Sequence, residues 1–250
     1  MGEAEVLSTL GLMAKEQGDF AQAAQYFEAS LRLCEQLGNA LGASRMWVQI
    51  SYNAYWQGDY ERAAEYAQQA VTVALLAGSR RAMAVALDSV GCALARLGRS
   101  AEAQAALTES LALQRELGNK GGQAMVLADL ASAALDAHAE AQAAGLYREA
   151  LALAWQIGDR RRAAFCLEGL GQITADDDAG QATVYLSAAQ AVRQTLSAPL
   201  PPSEQRPFDR TVAALQAALG PVAFATTWQR GADTPLDQVV ARALGGGNQG

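Results

Sequence analysis

The sequence predicts an all-α protein built from a repeating helical hairpin, and three observations carry that prediction. Four ladders of small residues share one register of forty. Gly18, Gly58 and Gly98 form the first, with His138 in the next slot, and Gly38, Gly78, Gly118 and Gly158 form the second. Gly11, Ser51, Gly91, Ala131 and Gly171 form the third. Ala23, Ala63, Ala103 and Ala143 form the fourth, continued at Ala182 if the last loop is one residue shorter. Between the ladders, apolar residues recur at three- and four-residue steps, as in Leu7, Leu10, Met13, Ala14 and then Ala23, Ala24, Phe27, Leu31. Hydrophobic residues make up 51% of the chain but aromatics only 6%, a mix that suits packed helices better than strands.

The register divides the chain into five hairpins, about residues 1–39, 40–79, 80–119, 120–159 and 160–198. In each, the first helix stops at the first glycine ladder, where a left-handed residue ends the helix. Asp19 and Asp59 follow directly and can cap the second helix. The second ladder repeats the device: Gly38-Asn39, Gly78-Ser79, Gly118-Asn119 and Gly158-Asp159 stop one helix and cap the next. The third ladder falls on first helices and the fourth on second helices, where a missing side chain lets the pair approach. His138 reads as a turn residue, His being among the types better tolerated at positive φ.

After Ser197 the composition changes. All six prolines (Pro199, Pro201, Pro202, Pro207, Pro221 and Pro235) lie beyond it, and their absence earlier agrees with an unbroken array. Residues 198–202 read as an extended linker, and Pro202 or Ser203 opens a new helix. Three helices follow, at about 203–219, 221–230 and 234–244, ended by Gly220, Gly231 and Gly245. Their apolar faces are expected to cap the open end of the array. Residues 245–250 read as a flexible, glycine-rich tail.

The unit resembles the tetratricopeptide repeat. Its pattern stands here as Leu7, Leu10, Gly11, Ala14, Gly18-Asp19-Phe20 and Ala23, and again as Trp47, Ile50, Ser51, Ala54, Gly58-Asp59-Tyr60 and Ala63. The forty-residue period is similar to the long-helix subclass found in kinesin light chain and bacterial regulators. The resemblance, over about residues 4–198, implies a right-handed superhelical solenoid of five hairpins with a concave, partner-binding groove. The C-terminal runs, Ala188 to Arg193, Pro199 to Glu204, Ala213 to Gly220 and Phe224 to Trp228, resemble the ends of LuxR-type, AfsR-type and MalT-like signal-transduction ATPases. In that family a tetratricopeptide-like sensor array follows a nucleotide-binding switch. This chain departs from it in lacking a phosphate loop: Gly118-Asn119-Lys120-Gly121-Gly122 does not have the spacing. ATPase activity and DNA binding are therefore not carried over.

Charge and composition narrow the function further. With 19 basic against 26 acidic residues the chain has a formal net charge of -7, a poor basis for binding nucleic acid directly. No run is long enough to span a membrane, and three scattered cysteines (Cys34, Cys92, Cys166) fit a reducing cytoplasm. One histidine excludes His-cluster metal sites. Asp176, Asp177 and Asp178 lack any metal-binding loop pattern and read as a solvated turn that caps the next helix. Arg80-Arg81 and Arg160-Arg161-Arg162 read as cations complementing the helix ends before them. No cofactor, metal or catalytic group is expected, so the chain reads as a non-enzyme.

What the resemblance leaves is the groove. Its counted positions put Lys15 in the first unit's share, and Arg45, Val48, Tyr52, Tyr55 and Trp56 in the second. The third supplies Asp88, Cys92 and Arg96, the fourth Met125 and Ser132, and the fifth Phe165, Glu168 and Gln172. The Lys and Asn set that clamps a carboxylate tail in chaperone adaptors is missing. Tyr, Trp and Arg are residue types that anchor ligands, although the aromatics also suit packing between helices. Two functions stay open: an effector- or protein-binding sensor segment that also contacts other domains of a larger signalling ATPase, or a free-standing scaffold for a peptide or protein segment.

Overall fold

The computed structural model describes residues 2–245, so the tail expected beyond Gly245 lies outside the described residues. Among them are thirteen α-helices and no strand, grouped in two compact units, residues 1–118 and 119–250. The fold class is the one the ladders predict.

The first unit is three antiparallel hairpins: α1 (Gly2–Glu16) with α2 (Phe20–Gln36), α3 (Ala40–Gln57) with α4 (Tyr60–Leu76), and α5 (Arg80–Arg96) with α6 (Ser100–Glu116). Gly18, Gly38, Gly58, Gly78 and Gly98 all hold positive φ, from 61° to 86°. Asp19, Asn39, Asp59 and Ser79 then accept from the backbone amide three residues on, closing the caps. Arg99 occupies the same slot before α6 and makes no such cap.

The small ladders mark where helices touch. A Cβ on Gly11 would stand 2.5 Å from the Phe27 ring, and one on Gly91 2.4 Å from Leu107 Cγ. Ser51, in the same ladder, donates its hydroxyl to the Ala63 carbonyl at 2.7 Å. Ser30 and Ser110 repeat one contact eighty residues apart, each donating at 2.7 Å to a carbonyl of the preceding helix, Ala4 and Ala84. Buried hydroxyls placed this way are satisfied, so they do not weaken the apolar core around them.

The second unit begins with two more hairpins, α7 (Lys120–Asp136) with α8 (Glu140–Ile157) and α9 (Arg160–Thr174) with α10 (Ala179–Thr195). His138 takes φ 59°, as its place in the glycine ladder required. The turn between α9 and α10, residues 175–178, carries no glycine. Asp178 caps α10 by accepting from Gln181 N at 2.8 Å, and Ala182 is fully buried.

Three helices complete this unit: α11 (Pro202–Leu219), α12 (Pro221–Asp233) and α13 (Leu236–Ala243). α12 lies along α10, and Phe208, Leu215, Phe224 and Trp228 pack over Ala182 and Leu186. Gly231 does not end a helix, as its sequence position suggested. It sits inside α12, where a Cβ would meet Ser187 Oγ at 1.9 Å and Val184 backbone at 2.9 Å. Its glycine serves a close helix crossing, and the helix runs on to Asp233. The arginine runs lie just past α4 and α8, as the sequence suggests. Arg80 and Arg160 to Arg162 open α5 and α9; Arg80 pairs with Glu116, and Arg162 with Asp129 at 3.8 Å.

Candidate binding surface

The first helices of the three hairpins in unit 1 present a polar and aromatic surface centred on α3. Tyr52, Tyr55 and Trp56 stand at i, i+3 and i+4, hence on one face, and all three are half-buried. Each is held by a charged residue of a neighbouring first helix. Tyr52 donates its hydroxyl to Asp88 Oδ2 of α5 at 2.8 Å. Arg96 Nε of α5 donates to the Tyr55 hydroxyl at 2.9 Å, with its guanidinium 5.9 Å from the ring centre. Lys15 of α1 stands 4.6 Å over the Trp56 ring and donates to Gln49 Oε1 at 3.2 Å. Tyr55 also meets Tyr60 edge-on at 5.3 Å. The result is three rings whose orientation is fixed from both sides, with two cations among them.

Not every expected residue reaches that surface. Val48 is buried with Ala70 and Ala86, and Asp88 is fully buried, where it accepts from the Tyr52 hydroxyl. Cys92 is half-buried on the same helix as Asp88. Arg45 is exposed about two turns before Tyr52, so the arginine actually beside the aromatics is Arg96. Gln49, which steadies Lys15, lies outside the counted groove positions. Only the meeting of α1 with α3 reveals it.

In unit 2, Met125, Ser132, Phe165 and Gln172 are half-buried. Phe165 stacks edge-on with Tyr147 at 6.2 Å and lies 5.6 Å from the Arg162 guanidinium. Tyr147 is buried against Gly169, where a Cβ would come within 2.2 Å of the ring, and Ser132 hydrogen-bonds its hydroxyl. Burial drives the Tyr147 phenol far above its ordinary range, and pushes the Cys166 thiol up to about 12. Both are structural and neutral.

Glu168 is buried rather than open to a groove. Both of its oxygens accept from Arg193, at 2.5 Å from Nε and 2.6 Å from Nη2. Burial lifts its carboxyl above the ordinary range, and Arg193 opposes that shift. Beside the pair is a cavity of about 400 Å³ lined by Gln190, Gln194, Leu200 and Phe208 among others. No helix among the described residues is long and apolar enough to cross a membrane.

The comparisons agree with this architecture. No curated protein sequence is significantly similar to the chain. The family profile "Tetratricopeptide repeat" matches residues 2–75 and 42–116. The apo form of RapI is similar at a TM-score of 0.65 and 15% identity, over 98% of this chain and 85% of that one. A Rap protein complexed with competence and sporulation factor is similar at 0.68 and 14% identity, over 96% and 76%. A signal transduction ATPase with numerous domains and a tetratricopeptide repeat sensor, from Pyrococcus horikoshii, gives 0.60 and 14%. It is matched by 97% of this chain, which spans 38% of its own length. At such identities the likeness is one of fold. Residues 2–116 thus match the tetratricopeptide repeat profile, and the whole chain shares the helical fold of these structures.

Proposed function

We propose that the chain is a recognition module that takes a peptide, a protein segment or a small effector on the surface formed by Tyr52, Tyr55 and Trp56. The observation that carries this reading is the bracing of all three rings by Lys15, Asp88 and Arg96. Rings already fixed in orientation lose little entropy on binding and offer large contact areas. The two cations beside them favour a segment carrying an acidic or carbonyl-rich stretch.

The wider setting we propose is the sensor segment of a larger signalling ATPase. It is supported by the C-terminal sequence runs and by the similarity to the Pyrococcus horikoshii protein, which itself carries such a sensor. There a ligand would act by binding one of two states more tightly. A free-standing scaffold uses the same surface, and the gene that encodes the chain separates the two: a preceding nucleotide-binding module decides for the sensor.

The surface itself is tested by selecting peptides from a displayed random library on the purified protein. Trp56→Ala should weaken the selected peptides by about 1–3 kcal/mol, the usual hot-spot scale. Peptides that bind Trp56→Ala and Tyr55→Ala as tightly as the parent would sink the assignment.

A further inference from the structure

The cavity in unit 2 is built differently from the aromatic surface. Its floor is the buried Glu168–Arg193 pair, 7% and 8% exposed. Arg193 commits Nε and Nη2 to Glu168, which leaves Nη1 without a partner among the described residues. Arg193 lines this cavity, and Nη1 is the guanidinium nitrogen that makes no hydrogen bond to Glu168. The wall from α10 adds the side-chain amides of Gln190 and Gln194 and the hydroxyl of Ser197, whose backbone holds φ 50° as the helix ends. The linker and α11 add the apolar Pro199, Leu200 and Phe208, with Gln205 as the one polar side chain among them.

These groups define a ligand by its charge and its hydrogen bonds. A carboxylate seeking Arg193 would lie beside the Glu168 charge, with Glu204 close enough to act on Glu168 as well. A cation seeking Glu168 would meet Arg193, which already covers both carboxylate oxygens. A neutral carbonyl can accept from Nη1 without either penalty, and the N–H of an amide can donate to a glutamine Oε1. A volume of about 400 Å³ is in the range of small-molecule sites. We propose that this cavity binds an uncharged, amide-bearing small molecule with an aliphatic group, the amide against Arg193, Gln190 and Gln194 and the aliphatic part against Leu200 and Phe208. The site lies wholly in unit 2, so its failure would leave the Tyr52–Trp56 reading untouched.

The probe is N-acetyl-leucinamide, with N-acetyl-leucine as the anionic control and leucinamide as the cationic one. Each is titrated into the isotope-labelled full chain and followed by NMR. The neutral amide should give saturable shifts at the Gln190 and Gln194 side-chain amides and the Leu200 methyls, with a Kd of about 1 mM for so small a ligand. Each charged control should bind about tenfold more weakly or worse. Leu200→Trp, which fills the cavity, should abolish the shifts while the melting temperature is kept. Gln194→Ala, at an exposed position, should weaken binding and serves if the tryptophan variant does not fold. Absence of saturable shifts at these residues up to about 20 mM amide overturns the proposal, as does equal binding by the anion.

Discussion

At the scale of single residues, the tightest constraints are where the sequence shows the least side chain. Gly91 sits 2.4 Å, measured from an ideal Cβ, from Leu107 Cγ and 3.2 Å from the Ala103 carbonyl oxygen. Gly91→Ala should therefore cost about 1–3 kcal/mol through overpacking, and Gly91→Leu should cost more, as read from urea midpoints. His138 is the opposite case: it holds φ 59° where its ladder mates are glycine. His138→Gly should raise stability by up to about 1 kcal/mol, since the left-handed backbone costs an L-residue about that much. Glu168→Gln removes the countercharge of a buried arginine and should destabilise by about 3–5 kcal/mol, with Glu168→Leu/Arg193→Met together far milder. At pH 8 the Cys166 thiol, held near 12, should resist iodoacetamide until the chain is unfolded, as peptide mass mapping would show.

At the scale of helices, equal register does not mean equal environment. Val6, Leu10 and Met13 of α1 are 58%, 37% and 51% exposed. Forty residues on, Met46 and Ile50 of α3 are buried in the cluster that includes Phe27, Leu31 and Cys34 of α2. Ile50→Ala should thus cost about 2–5 kcal/mol and Leu10→Ala clearly less, although the two stand forty residues apart in the same register. Caps behave likewise. Ala139 precedes α8 without a side-chain cap, in the slot where Asp19 and Asp59 cap their helices. Ala139→Asp should stabilise by about 0.5–2 kcal/mol, measured by chemical denaturation.

At the scale of the whole molecule, the first unit has its own core and its own aromatic surface. Hairpins that contact mainly their sequence neighbours give stability that adds along the chain. A fragment of residues 1–118 should accordingly show helical circular dichroism and a cooperative urea transition. A featureless unfolding curve would contradict that independence.

What the sequence determined by itself was the repeat. The fold follows from local rules, because a glycine at positive φ, a capping Asp or Asn and an Ala at each crossing act within one hairpin and recur at a fixed spacing. The aromatic cluster at Tyr52, Tyr55 and Trp56 was legible for the same reason, being one face of one helix. Tertiary structure decided which groups surround it. Lys15 and Arg96 come from helices roughly forty residues away, and whether a carboxylate such as Asp88 or Glu168 faces solvent or a buried partner depends on packing between helices. Gly231 shows the same division. Its residue type announced a special position, and only the crossing of α12 over Ser187 and Val184 decided that the need was for closeness rather than for a turn.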